Sequence, residues 1–189
     1  VIGMDISDLV KMTEAQIRRI SELTQEQEEE LVSDVRLLLV AFLVVNNWSF
    51  DAILHSYRLS ESEVIRCLTR LDKLKMIELL PRNRIKLLVS PSFAWRRNGP
   101  IQRFFTERMQ DDFFRSEFDG KGEAFLFASG MLSGHSIEEI KNAAERLVSE
   151  FNGRNREDAA RPLDERFANS MIIAVRPWRP AVFSDMRRP

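Results

Sequence analysis

A chain of 189 residues, 44% hydrophobic and 30% charged, has material for one large domain or two small ones, which excludes a wholly disordered polymer. A formal net charge of −1 gives no overall attraction to nucleic acid, so any such role must rest on a local patch. The single cysteine, Cys67, excludes an internal disulfide and suits a reducing, cytoplasmic compartment.

The longest apolar run, Leu37 to Val45, is about half the length a bilayer span needs and predicts a buried core helix, with no membrane partner. No basic start, apolar stretch and cleavage site mark a signal peptide. The chain opens at Val1 without an initiator methionine, as expected of a piece of a longer protein.

Thr13 to Ser33 reads as helical, with Ile17, Ile20, Thr24, Gln27 and Leu31 at loose three-four spacing. Thr24 and Gln27 spell a capping box, so a new helix is expected to start there and run through Val45 to Asn46-Asn47. The carboxylates from Glu26 to Glu30 suit the start of that helix, where they favour the dipole. Phe50 to Ser56 predicts a short helix with Ile53 and Leu54 inward. Ser60 and Glu63 spell a second box, followed by a face of Val64, Cys67, Leu68, Leu71 and Leu74. Met76–Leu80 and Ile85–Val89 read as strands separated by the basic turn Pro81-Arg82-Asn83-Arg84.

Further on, Pro100 suits a first helical turn and predicts a helix to Phe118, broadened by Phe104, Phe113 and Phe114. Asp119-Gly120-Lys121-Gly122 breaks the chain. Ala124–Leu132 then reads as a buried strand, and Ser136 with Glu139 opens a helix through Phe151 that Asn152-Gly153 ends. Arg154 to Arg166 is a polar connection, and Met171–Val175 reads as a second strand stopped by Pro177.

The order helix, helix, turn, helix, hairpin in ILHSYRLSESEVIRCLTRLDKLKMIELLPRNRIKLLVSP resembles the winged helix-turn-helix domain of bacterial transcription regulators. The likeness is carried by the Leu59-Ser60 entry, the Val64/Leu68/Leu71 spine, the Met76-Ile77 step and the arginine-rich tip. It departs from the family at Leu74-Lys75-Met76, where such proteins often place glycine. A second resemblance lies in VIGMDISDLVKM, which is similar to the end of a phage-repressor-type (XRE) helix-turn-helix domain, Gly3 ending one helix and Ile6 and Leu9 beginning the next. The strand–helix–strand at the end resembles the C-terminal part of a group of bacterial winged-helix regulators.

The expected fold is therefore α+β and mainly α. Residues 1–13 are a remnant of an N-terminal domain, 14–24 a helical linker, 25–92 the winged domain, 93–118 a connecting helix and 119–189 a small α/β domain. The resemblances imply a DNA-binding transcription regulator, with double-stranded DNA read by the winged domain or by a segment before Val1. The C-terminal domain would sense an effector or dimerise. The alternative is a winged fold used only for protein assembly. Arg66, Arg70, Arg82, Asn83, Arg84 and Lys86 are the candidate DNA contacts, since phosphate binding needs local positive charge. Glu61 and Glu63, at the start of the reading helix, oppose it. A homodimer is expected, through Ile17–Leu31 or Pro100–Phe118, because regulators of this kind read paired half-sites.

Catalysis and cofactors are not expected. His55, His135 and Cys67 lack metal-ligand spacing, and Cys67 sits on an apolar helix face where packing is its role. No glycine-rich phosphate loop or nucleophile elbow occurs.

Overall fold

The computed structural model describes residues 20–186, without the side chains of residues 20, 21, 91–94 and 183–185. The phage-repressor-like stretch and most of the expected linker lie outside the described residues. The chain divides into two units, one ending at Phe127 and the other beginning at Ala128. The described fold is α+β and mainly helical.

The first unit runs β1 (Ile20–Glu22), α1 (Gln25–Val32), α2 (Val35–Val45), α3 (Phe50–Ser56), α4 (Glu61–Lys73), β2 (Ile77–Leu80), β3 (Arg84–Leu87), β4 (Val89–Ala94), α5 (Pro100–Arg108) and α6 (Gln110–Phe113). Two of these elements correct the sequence reading. Ile20–Glu22 was expected to be helical and is a strand, paired in parallel with β4. The polar seam at these residues gave a helix little to bury, whereas the strand delivers Leu23 into the core. The single helix expected from Thr24 to Val45 is two helices. Thr24 and Gln27 do form the capping box of α1, but the chain turns at Ser33 and Asp34 starts α2 by accepting a hydrogen bond from the Arg36 N–H at 3.0 Å. Aspartate is favoured at an N-cap, and the break re-aims the apolar α2.

α2 is the centre of the core, with Leu37, Val40, Ala41, Leu43 and Val44 buried. It ends where expected. Asn47 takes a left-handed φ of 61°, its N–H reaches Val44 O at 2.9 Å and the Trp48 N–H reaches Leu43 O at 3.1 Å. These are the paired bonds of a Schellman stop. α3 is capped by Ser49 and buries Ile53. α4 begins with the Ser60/Glu63 box and buries Val64, Cys67, Leu68 and Leu71, the spine expected from spacing.

α4 also ends in a Schellman stop, with Lys75 where glycine is usual. Lys75 has φ 62°; its N–H donates to Asp72 O at 2.9 Å and the Met76 N–H donates to Leu71 O at 3.1 Å. The geometry is that of the glycine-bearing form, and buried Met76 and Leu71 supply its apolar contact. β2 and β3 then pair antiparallel, Ile77 opposite Leu87 and Leu80 opposite Arg84.

α5 starts at Pro100, as the sequence predicts, but stops at Arg108, and Met109 separates it from the short α6. Its start is fixed from outside. Glu28 of α1 is fully buried, and its carboxylate accepts the Arg96 N–H at 2.7 Å and the Ile101 N–H at 3.2 Å. It thus caps a neighbouring helix whose own N-cap, Gly99, has no side chain to do so. From the last residue of α6 onward, Phe113, Phe114, Phe118 and Phe125 form a cluster of edge-on and tilted rings.

The second unit contains α7 (Gly134–Asp158), capped by Ser133 through the Ser136 N–H at 3.2 Å. Two expected limits shift: the helix starts before Ser136 and continues through Asn152-Gly153, where Arg154 pairs with Glu150 and Glu157. Neither expected strand forms: Ala124–Leu132 and Met171–Val175 are irregular, so the strand–helix–strand unit is absent from the described residues. Both stretches have the apolar composition of a strand, but among the described residues neither is paired in a sheet. No helix of the described residues is long and apolar enough to cross a membrane.

Candidate nucleic-acid interface

The six candidate contacts fall on two elements, α4 and the β2–β3 hairpin, and they separate by what they already touch. Arg66 is exposed on α4 and has no ion-pair partner among the described residues. It lies on a stripe with Ser62, Thr69 and Lys73, spaced i, i+4, i+7 and i+11, all exposed and opposite the Val64/Leu68/Leu71 face. The candidates drawn from the sequence omit Ser62, Thr69 and Lys73, although the same helical spacing that predicted the buried face identifies its complement.

Arg70 points the other way. Its Nε and terminal nitrogen reach Glu30 Oε1 at 2.9 and 2.6 Å, and its second terminal nitrogen reaches Asp34 Oδ2 at 2.7 Å. The Glu30 contact holds its pKa above the ordinary arginine value. Partial burial opposes the charge on Asp34, but hydrogen bonds from the Arg36 N–H and Arg70 hold that carboxyl below its usual range. Arg70 therefore fastens α4 to the α1–α2 junction, and a guanidinium engaged by two carboxylates has little left to offer a phosphate. Lys86 lies opposite Glu78 in the hairpin register and bonds to it at 2.8 Å.

The hairpin tip holds the remaining three. Arg82 and Asn83 take left-handed φ values of 62° and 55° in the three-residue loop between β2 and β3. That conformation suits Asn more than Arg. Arg82 and Arg84 are exposed, and Arg84 makes a long 3.5 Å bond to Pro81 O. Asn83 is half-buried.

The acids at the start of α4 are not equivalent. Glu63 accepts from the Ser60 N–H at 2.9 Å and from the Ser60 hydroxyl at 2.7 Å, and lies 3.5 Å from Arg36. The Ser60 N–H, then its hydroxyl, hold the Glu63 pKa below the ordinary value. Its charge is engaged in capping, and Glu61 is left as the exposed acid of that turn. Burial pushes the Cys67 thiol up, which keeps it protonated and inert at neutral pH. Among the described residues no group of three or more His, Cys, Asp or Glu side chains is placed to hold a metal ion. No protein-family model, curated protein or solved structure matches this chain.

Proposed function

We propose that the segment from α1 to β4 is a winged helix-turn-helix module, with α4 as reading helix and the β2–β3 hairpin as wing, and that the chain is a DNA-binding transcription regulator. The observation that carries this reading is the outward stripe Ser62, Arg66, Thr69, Lys73 together with the exposed Arg82 and Arg84 of the tip. A helix of this kind enters the major groove, where short polar side chains and arginine meet base edges, and the tip reaches the flanking backbone or minor groove. The test is fluorescence anisotropy with a random duplex at two salt concentrations. Four phosphate contacts predict a loss of roughly a hundredfold in affinity between about 50 and 200 mM salt. Absence of binding at the lower salt would refute the reading for this chain.

A second reading, a winged fold used only for assembly, is favoured by Arg70 and Glu61. The first is engaged within the protein, and the second places negative charge at the end of α4 nearest the groove. Under this reading the duplex does not bind at either salt concentration.

A further inference from the structure

Of the four side chains on the outward stripe of α4, two have other work. The Ser62 hydroxyl lies 3.2 Å from that of Ser60 and belongs to the cap of the helix. Lys73 is the last residue of α4, and its flexible ammonium acts on phosphate as a point charge. Arg66 and Thr69 are left in the middle of the stripe. We propose that these two residues read the sequence of the duplex, Arg66 selecting a guanine and Thr69 a thymine about one to two base pairs from it. The inference rests on the DNA-binding reading above and adds to it which bases are selected.

The neighbours of Arg66 assign it to a base and not to a phosphate. Ser62 and Thr69, one turn to either side, are short, so the helix can approach the groove floor there and a long side chain between them reaches base edges. Among the described residues no ion pair holds its guanidinium, in contrast to Arg70, which Glu30 and Asp34 retain. Two parallel N–H donors match the O6 and N7 acceptors of guanine. Adenine presents one acceptor beside a donor, which leaves one N–H of the fork opposed. Thr69 works differently. Its hydroxyl donates to Ile65 O at 2.8 Å, so its only proton is spent on the helix backbone. The group left to discriminate is its methyl, and thymine alone among the four bases carries a methyl in the major groove. Three residues of helix rise about 4.5 Å, against about 3.4 Å per base step, and this sets the separation of the two bases.

Selection by the whole chain from a library of random duplexes, followed by anisotropy on the selected sequence, tests it. The wild-type chain should enrich sites with a guanine and a thymine at that separation. Replacing the thymine by uracil removes only the methyl group and should weaken wild-type binding by about fourfold, the worth of one buried methyl. Thr69→Ser keeps the hydroxyl and its bond to Ile65 O but loses the methyl, so it should bind the thymine and uracil duplexes equally. Arg66→Lys keeps the charge and loses the fork. Its salt slope should stay, while its preference for guanine over adenine should fall by about fivefold or more. Both side chains are exposed, so an unchanged urea transition is the folding control. Three results overturn the inference while duplex binding itself stands: enrichment without that base pair of signals, a uracil penalty that Thr69→Ser retains, or a guanine preference that Arg66→Lys retains. Absence of any binding at low salt overturns both the inference and the DNA-binding reading.

Discussion

The carboxylate of Glu28 occupies the space that a side chain at residue 99 would need: a Cβ built on Gly99 would overlap Glu28 Oε2. Residue 99 is an ordinary extended N-cap with φ −77°, so glycine is required there by proximity and not by backbone conformation. The relationship predicts that Gly99→Ala and Glu28→Ala damage the same junction. Glu28→Ala leaves the Arg96 and Ile101 N–H groups buried without their acceptor, a cost of about 1–3 kcal/mol. Gly99→Ala should fall in the same range, and the double variant should cost less than the sum because both changes break one contact. Urea unfolding of the four proteins checks this; strict additivity would show that the two residues act separately.

Lys75 carries a backbone cost that glycine would remove. A non-glycine residue in the left-handed region is disfavoured by about 1–2 kcal/mol, and the extra freedom of glycine in the unfolded chain returns about 0.5–1 kcal/mol of that. Lys75→Gly should therefore stabilise the first unit by about 0.5–1 kcal/mol, seen as a higher urea midpoint at unchanged slope. A lower midpoint would mean that the lysine side chain, not the backbone, sets the energy of that turn.

Acid should weaken the first unit through its helix starts. Glu26, whose carboxyl is held low by its own N–H and then the Thr24 hydroxyl, behaves like Asp34 and Glu63. All three give up their protons more readily in the folded chain, so the unfolded state binds more protons in acid. Their contribution is complete above the unfolded values of about 4 and is lost as pH falls through the lower folded values. Asp34→Asn keeps an N-cap but loses the ion pair with Arg70. It should be less stable at neutral pH and should show a shallower decline below pH 4 or so. An unaltered pH profile would remove Asp34 from the acid response.

What the sequence made legible follows the physics of local structure. The Thr24 and Ser60 boxes, the Phe50–Ser56 helix, the α4 spine and the hairpin are each specified by residues close in sequence, and they stand where spacing put them. The misses are non-local. β1 exists through pairing with β4, almost seventy residues away, and the role of Glu28 depends on α5. Its position three residues before Leu31, on the buried side of α1, was the available signal, masked by the neighbouring carboxylates. Arg70 had the same charge in sequence as Arg66, and only the approach of Glu30 and Asp34 distinguishes them. The apolar stretches at Ala124–Leu132 and Met171–Val175 have the composition of strands, but among the described residues neither is paired in a sheet.

That distinction between arginines yields the last prediction. Arg70→Ala should lower stability by about 1–2 kcal/mol, since it removes a part-buried guanidinium held by two carboxylates, and, under the proposed DNA-binding reading, should leave the salt dependence of duplex binding unchanged. Arg82→Ala/Arg84→Ala should do the reverse. Both side chains are exposed at the hairpin tip, so stability should stay within about 0.5 kcal/mol, while the slope of log affinity against log salt should shrink by about one to two, one per lost phosphate contact. Arg66→Ala should weaken binding without loss of stability and, if its guanidinium reads a base, should relax sequence preference more than it changes the slope. A salt slope that responds to Arg70 and not to the tip would place the DNA surface on the α1–α2 side of the unit, and the hairpin would then not serve as a wing.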